Sequence, residues 1–188
     1  MNLPTLVRRV LTAAILPLFA VVTQAQAQAS PTVNTNAQIT ARVFAPLSVT
    51  KNEDLRFGNL FAPYAAKAVA FTDNTAAAGR ARLTVAGEGG AELSLVVNVP
   101  SVITRVSGTE TLPVGSFSLR RSTTDVDGTG TDAVLATGDN TYTVTLSGSA
   151  GGSGNLYLRV IGTATPGASQ ATGSYLGQIS VTVNYTGA

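Results

Sequence analysis

Alternation of apolar and polar side chains is the feature that most limits how this chain can fold. Four windows of seven or eight residues show it: ELSLVVNV (92–99), TYTVTLS (141–147), NLYLRVIG (155–162) and QISVTVNY (178–185). A period of two is typical of a strand with one buried face, because successive side chains of a strand point to opposite sides of its sheet. Long stretches rich in Leu, Glu and Lys, which favour helices, are missing.

Turn-forming residues separate these windows. The shorter candidate strands are Ala68–Phe71, Arg80–Ala86 and Ser116–Arg120, and the turn signals are Gly87–Gly90, Asp127-Gly128, Gly138–Asn140 and Gly148–Gly154. Eight or nine short strands joined by such turns are typical of an antiparallel sandwich. We therefore predict an all-β chain folded as an antiparallel β-sandwich.

The first 29 residues are typical of a secretory signal peptide. Arg8 and Arg9 form a basic beginning, Val10–Val22 is mostly apolar, and the Ala-Gln repeats that end at Ala29 offer small-residue cleavage sites. The apolar run is too short to cross a bilayer as a helix. We expect cleavage after Ala29 or Ala27, no transmembrane segment in the mature chain, and export to the periplasm, the cell surface or the medium.

Composition argues against several function classes. Loss of residues 1–29 removes two arginines and no acid, leaving ten basic and ten acidic residues, so the formal net charge falls from +2 to 0. Neither a nucleic acid nor an anionic membrane surface is an expected partner of such a chain. The chain has no cysteine and no histidine, which excludes disulfides, thiol nucleophiles and the commonest general base. We expect a protein that is not an enzyme and that has no catalytic residues, no cofactor and no metal.

A fifth alternating window, Val33–Val43, begins the mature chain. One parity is apolar except for Thr35: Val33, Ala37, Ile39, Ala41 and Val43. One interpretation is that this segment is the first strand of its own sheet. The other is a donor strand that inserts into the groove of a neighbouring subunit, where main-chain hydrogen bonds give affinity and alternate side chains give register. The sequence leaves both interpretations open.

Two further motifs carry a resemblance to a known family. The stretches APLSVTKNEDLRFGNL (45–60) and GSYLGQISVTVNY (173–185) resemble the bacterial domain of unknown function 4402 family. They are also similar to spore-coat-U-like and archaic chaperone–usher pilin subunits. The resemblance covers about residues 38–185, and it divides the chain into a signal peptide (1–29), an N-terminal strand (30–45) and a sandwich domain (46–188).

The resemblance implies an immunoglobulin-like subunit that polymerises by donor-strand exchange or decorates the cell surface. Its implied partners are a second copy or another surface subunit, and a periplasmic chaperone. It places Leu55, Phe57 and Gly58 at the end of an early strand, with Phe57 in the core, and it makes Tyr185 close the last strand. Pilin-like relatives commonly carry a paired cysteine near Pro46, which this chain lacks.

The same motif residues also have purely structural explanations. Gly58 can supply a positive φ at a turn, and Gly173 and Gly177, which flank Tyr175, can permit a bulge or a close approach at an edge. Each of these explanations concerns only the backbone around the glycine itself and requires no shared function.

One loop has the composition of a weak metal site. Asp125, Asp127 and Asp132 space carboxylates as a calcium loop does, with glycines for tight turning. The position of the closing glutamate of an EF-hand loop is Ala136. The alternative is a solvated hairpin tip, which Asp-Gly favours for backbone reasons.

Three function classes follow from these patterns. The leading one is a structural or assembly subunit of a surface fibre or coat. The alternative is a monomeric secreted module that binds carbohydrate or protein in the manner of an adhesin, with Tyr64, Tyr142, Tyr157 and Tyr175 as contacts. A hydrolase is the third class, which the missing histidine and cysteine disfavour.

Overall fold

The computed structural model describes residues 41–62, 66–75 and 77–186, and none of these residues is helical. In chain order the strands are β1 (Ser48–Glu53), β2 (Lys67–Ala68), β3 (Ala81–Glu88), β4 (Glu92–Val99), β5 (Val102–Arg105), β6 (Thr111–Ser122), β7 (Thr131–Leu135), β8 (Gly138–Thr145), β9 (Ser153–Ala164), β10 (Tyr175–Leu176) and β11 (Ser180–Tyr185). The four alternating windows lie in β4, β8, β9 and β11. The expected signal peptide and most of the Val33–Val43 window lie outside the described residues.

The strands form two antiparallel sheets. In the large sheet β1, β3, β9, β6, β5 and β10 lie side by side, while β2 pairs with β9 and β7 pairs with β6. The small sheet has the order β11-β4-β8. Every strand pair is antiparallel. The prediction of an all-β antiparallel sandwich is confirmed.

The core consists of the apolar side chains that occupy every second position of the alternating windows. On β4 the buried residues are Leu93, Leu95, Val97 and Val99, and on β9 they are Leu156, Leu158 and Val160. Val85, Phe117, Leu119 and Val144 complete the same cluster. The period-two pattern therefore identified the inward-facing side chains correctly, because a strand exposes one parity to each face of its sheet.

Six of the strands follow the order of an immunoglobulin-like sandwich. The path β1-β3-β9-β6 corresponds to the A-B-E-D sheet of a constant-type domain, and β4 and β11 take the places of C and F. Within the described ranges no strand takes the place of G, which would pair with F. The small sheet therefore ends at β11.

One predicted turn is wrong. The segment Gly138–Asn140 is the beginning of β8, and the chain crosses from the large sheet to the small one in only the two preceding residues. Asn140 holds this crossover, since its side-chain oxygen accepts from the Ala136 N–H and its amide donates to the Ala136 carbonyl, both at 2.8 Å. A glycine with a φ of 93° at position 138 opens the strand and does not close a hairpin.

Other differences concern short strands. β5 and β7 were not predicted, because each is only four or five residues long and mostly exposed. Of the predicted strand Ala68–Phe71 only Ala68 lies in a strand, as the second residue of β2. Short edge strands owe their conformation to pairing with a neighbour, which local sequence reveals poorly.

Leu95→Ala should lower the free energy of unfolding by about 2–5 kcal/mol, because Leu95 is fully buried in the central strand of the small sheet. Urea unfolding followed by circular dichroism measures the loss. Thr143→Ala on the exposed face of β8 is the matched control and should change stability by less than about 0.5 kcal/mol. Equal effects of the two substitutions would contradict the placement of the core.

Candidate functional site

Among the described residues, the outer edge of β11 has no strand paired with it. All six residues of β11 pair with β4 on one side, and no strand of the described chain lies on the other. The Thr186 N–H donates to the Glu92 carbonyl at 3.0 Å. Every second residue before it, Asn184, Thr182 and Ser180, therefore also points its backbone N–H and C=O groups at β4. By the alternation of an antiparallel ladder, the N–H and C=O groups of Val181 and Val183 point at the open edge. This edge can accept another strand.

A groove begins beside this open edge. β1 is the edge strand of the large sheet, and the Tyr185 hydroxyl at the end of β11 donates to the Ala45 carbonyl just before β1. β1 begins near this contact and β11 ends at it, and the gap between the two strands leads to their far ends, where Glu53 and Ile179 line a cavity. We call this gap the groove, and its wide end is a cavity of about 1050 Å³.

Apolar side chains line the wide end of the groove. One wall comes from the chain after β1, the other from the chain before β11, and the floor from the large sheet: Leu55, Phe57 and Leu60; Tyr175, Leu176 and Ile179; Leu83, Ile103, Leu112 and Phe117. Phe61 and Leu176 are 67% and 69% exposed at its rim. Exposed apolar area of this kind is typical of an interaction site.

The motif Leu55–Gly58 forms one wall of the groove. Leu55 and Phe57 follow β1 and pack against the core while remaining half-buried. Gly58 has a φ of +70°, and a Cβ there would collide with the Ala77 carbonyl. Glycine is therefore required at this turn for both backbone and steric reasons.

The motif Gly173–Gly177 forms the opposite wall. The Tyr175 hydroxyl donates to the Ala171 carbonyl at 2.6 Å and fixes the loop before β10. Gly173 has a φ of +140°, and a Cβ on Gly177 would collide with the Ile103 side chain. These glycines permit close approach at an edge, as the structural explanation of the motif expected.

Only the last part of the Val33–Val43 segment lies within the described residues. Ala41 and Val43 are outside any strand, and Val43 is 91% exposed. Val33, Ala37 and Ile39 lie outside the described residues. The prediction of an N-terminal strand stays a prediction, and the described end of the segment does not pair with β11.

A row of charged side chains crosses the outer face of the large sheet. Neighbouring strands place them in register, as Glu53 on β1, Arg82 on β3, Arg159 on β9, Arg120 on β6 and Asp132 on β7. Arg82 donates to Glu53 at 3.0 Å, and Arg120 donates to Asp132 at 2.6 and 2.8 Å. We call this set the arginine row. It connects five strands, and no sequence motif identified it.

The loop between β6 and β7 covers the centre of the arginine row. Asp127 accepts hydrogen bonds from Arg80 and Arg159 at 2.9 and 3.0 Å, and Asp125 accepts from Arg82 and Arg159 at 2.7 and 2.9 Å. The Arg80 and Arg159 side chains are each only 1% exposed. The alternation Leu158-Arg159-Val160 was the available signal, since it places an arginine on the outward parity of a central strand.

The candidate calcium ligands are therefore all engaged by guanidinium groups. Asp125 and Asp127 lie in the loop over the arginines, and Asp132 pairs separately with Arg120. Across the described ranges no three acidic side chains gather closely enough to hold a metal ion. The loop joins β6 and β7 as a hairpin connection, and its carboxylates are bonded to arginines of the sheet beneath it.

The carboxyl groups with shifted pKa values are all shifted downward. The Gly151 N–H, donating at 2.5 Å, lowers the pKa of Glu88, with help from the Ala45 N–H and Arg42. Backbone hydrogen bonds and Arg105 lower the pKa of Glu110. Each of these shifts favours the charged carboxylate.

The candidate contact tyrosines are dispersed. Tyr142 lies on β8 beneath the Arg121 guanidinium, Tyr157 lies on the outer face of β9, and Tyr175 lies in the groove wall. Tyr64 lies outside the described residues. The three described rings therefore do not form one flat binding platform.

Asp127→Asn should destabilise the fold by about 2 kcal/mol, because it removes a negative charge from two buried guanidinium groups. The half-exposed position of Asp127 keeps the loss below the value for a fully buried pair. Thermal and urea unfolding measure the change. Asp139→Asn removes an exposed carboxylate bonded only to Asn98 and should have almost no effect; a loss equal to that of Asp127→Asn would contradict the network.

Acid should weaken the arginine row at Asp132. The Arg120 guanidinium holds the pKa of the Asp132 carboxyl below its ordinary value of 3.8. A carboxyl whose pKa is lower in the folded state stabilises the fold above its unfolded pKa, and this contribution disappears as the pH falls through the folded pKa. In urea titrations at several pH values, the wild type should exceed Asp132→Asn in stability at neutral pH and lose that advantage below pH 3.8. An advantage independent of pH would contradict the ion pair.

Comparison with protein families gives one match, over most of the described chain. In the described ranges, no helix is both long and apolar enough to cross a membrane. No curated protein matches the chain. A family model described as a domain of unknown function (DUF4402) matches residues 47–185, from the residue before β1 to the last residue of β11. The chain belongs to the DUF4402 family.

Proposed function

We propose that this protein is an exported, non-enzymatic subunit of a bacterial surface structure, similar to a pilin or a coat protein. Its copies assemble when the N-terminal segment of one copy (Ser30–Val43) enters the groove of the next. The observation that carries this proposal is the unpaired edge of β11 beside an apolar groove. An added strand would complete both the hydrogen-bonding edge and the core.

The N-terminal segment has the pattern that such a groove requires. A strand laid along β11 would turn one parity of its side chains inward, and every second residue from Val33 to Val43 is apolar except Thr35. Eleven extended residues span about 35 Å, which exceeds the roughly 20 Å of a six-residue strand. The segment is therefore long enough to follow β11 and reach the wide end of the groove.

The exposure of Val43 supports an occupant from another copy. Val43 ends the apolar parity of the segment and is 91% exposed. An open strand edge invites unwanted pairing with other chains. A periplasmic chaperone that covers the groove before assembly is therefore the second partner of this proposal, and an exported chain would share its compartment.

Comparison of unboiled and boiled samples on a denaturing gel tests the assembly. The mature chain should give a ladder of bands that collapses to a monomer on boiling, because main-chain pairing along a whole strand resists detergent until heated. A version lacking Ser30–Thr40 retains Phe44 and Ala45 and should run as a monomer in both samples. Mixing it with the intact chain should let it accept one segment.

Two single substitutions distinguish strand insertion from nonspecific association. Ile39→Asp would place a charge on the parity that enters the groove and should abolish the ladder. Thr40→Asp places the same charge on the opposite parity and should preserve it. Equal behaviour of the two variants would contradict insertion. A folded monomer in every sample would favour the alternative, a monomeric binding module.

A further inference from the structure

The point at which the N-terminal segment leaves the domain is held by a compact cluster. The rings of Phe44 and Tyr185 stack with centroids 4.6 Å apart, and the Arg42 guanidinium lies 4.4 Å above the Phe44 ring. The Tyr185 hydroxyl donates to the Ala45 carbonyl and accepts from the Glu88 N–H, both at 2.7 Å. We call Arg42, Phe44, Ala45, Glu88 and Tyr185 the exit anchor.

Glu88 adds a second attachment to the exit anchor. Its carboxylate accepts from the Gly151 N–H at 2.5 Å and from the Ala45 N–H at 3.4 Å, and Arg42 lies 3.9 Å away. Gly87 leaves the space for these contacts, since a Cβ there would lie 2.6 Å from the Tyr185 hydroxyl oxygen. The end of β3 and the end of β11 therefore hold the chain at Ala45, and the loop before β9 fixes the Glu88 carboxylate.

The exit anchor occupies the narrow end of the groove. For the segment to pair with its own β11, Val43 and Ala41 would have to continue along the open edge beside Val183. Phe44 instead packs against the ring of Tyr185, and Val43 is exposed to solvent. Phe44 and Val43 therefore do not lie along the open edge of their own β11.

We propose that the exit anchor keeps each N-terminal segment out of its own groove, so that the groove accepts the segment of a second copy. This inference rests on the proposed assembly and adds the feature that selects insertion between chains over insertion within one chain. Phe44 and Tyr185 act here as positioning residues, because they direct the segment without entering the groove.

Chemical crosslinking in this cysteine-free chain distinguishes the two modes of insertion. Thr40→Cys in the segment and Thr182→Cys on the exposed face of β11 are joined by a short bis-maleimide reagent. Insertion between chains gives covalent dimers and larger products on a boiled gel. Insertion within one chain gives a monomer of altered mobility. Circular dichroism confirms that each variant is folded.

Phe44→Ala is the test variant and Phe71→Ala is its matched control. Both remove a ring that lies under an arginine, at 4.4 Å from Arg42 and 4.2 Å from Arg120, but only Phe44 stacks on Tyr185. Phe44→Ala should raise the ratio of internal to intermolecular crosslinks several-fold, and Phe71→Ala should leave it unchanged. Tyr185→Phe keeps the ring, loses both hydroxyl contacts, and should shift the ratio in the same direction.

The outcomes separate the two proposals. If every variant gives intermolecular crosslinks, and Phe44→Ala does not change the ratio of internal to intermolecular crosslinks, the proposed role of the exit anchor is wrong. The proposed assembly would still stand. Internal crosslinks alone in the chain with its anchor intact would overturn both. An absence of crosslinks in every folded variant would overturn the assembly, and the exit anchor would lose its role with it.

Discussion

The open edge of β11 is the constraint on which the rest of the structure depends. The apolar side chains on the inner face of a strand must be covered by the facing sheet. The large sheet covers those of β4, where Leu93, Leu95 and Val97 are fully buried. It covers those of β11 less well, where Val181 and Val183 are half-buried. The described chain supplies no strand beside β11. This open edge accounts for the half-buried residues, for the groove beside them and for the exposed side chains at its rim.

Ion pairs between arginine and acidic side chains stabilise the outer face of the large sheet. The chain has no cysteine, and the arginine row with its overlying loop joins five strands through guanidinium–carboxylate pairs. Arg159 tolerates burial because Asp125 and Asp127 supply its counter-charges. The loop that looked like a weak calcium site therefore contributes to the fold, with arginines in the place of a cation.

Local pattern predicted the architecture, and long-range register accounts for what it missed. The parity of Leu93–Val99 and Leu156–Val160 identified the core because a strand has only two faces. The alternation around Arg159 indicated an outward-facing arginine, but its neighbours in the arginine row could not be predicted, since Arg82 and Arg159 are distant in sequence and meet only through the pairing of β3 with β9. The groove walls were recognised as motifs, at Leu55–Gly58 and Gly173–Gly177, but their facing positions depend on where β1 and β11 lie in different sheets.

The exit anchor also determines how the domain would carry mechanical load. Any pull on the N-terminal segment reaches the fold at Ala45, where Tyr185 and Glu88 pass it to the ends of β11 and β3. Both strands are paired along their whole length with a neighbour, β4 and β9 respectively, so the force acts along many backbone hydrogen bonds at once. Tension on the segment would then be shared by β11 and β3 with β1, the edge strand that directly follows Ala45 in the chain.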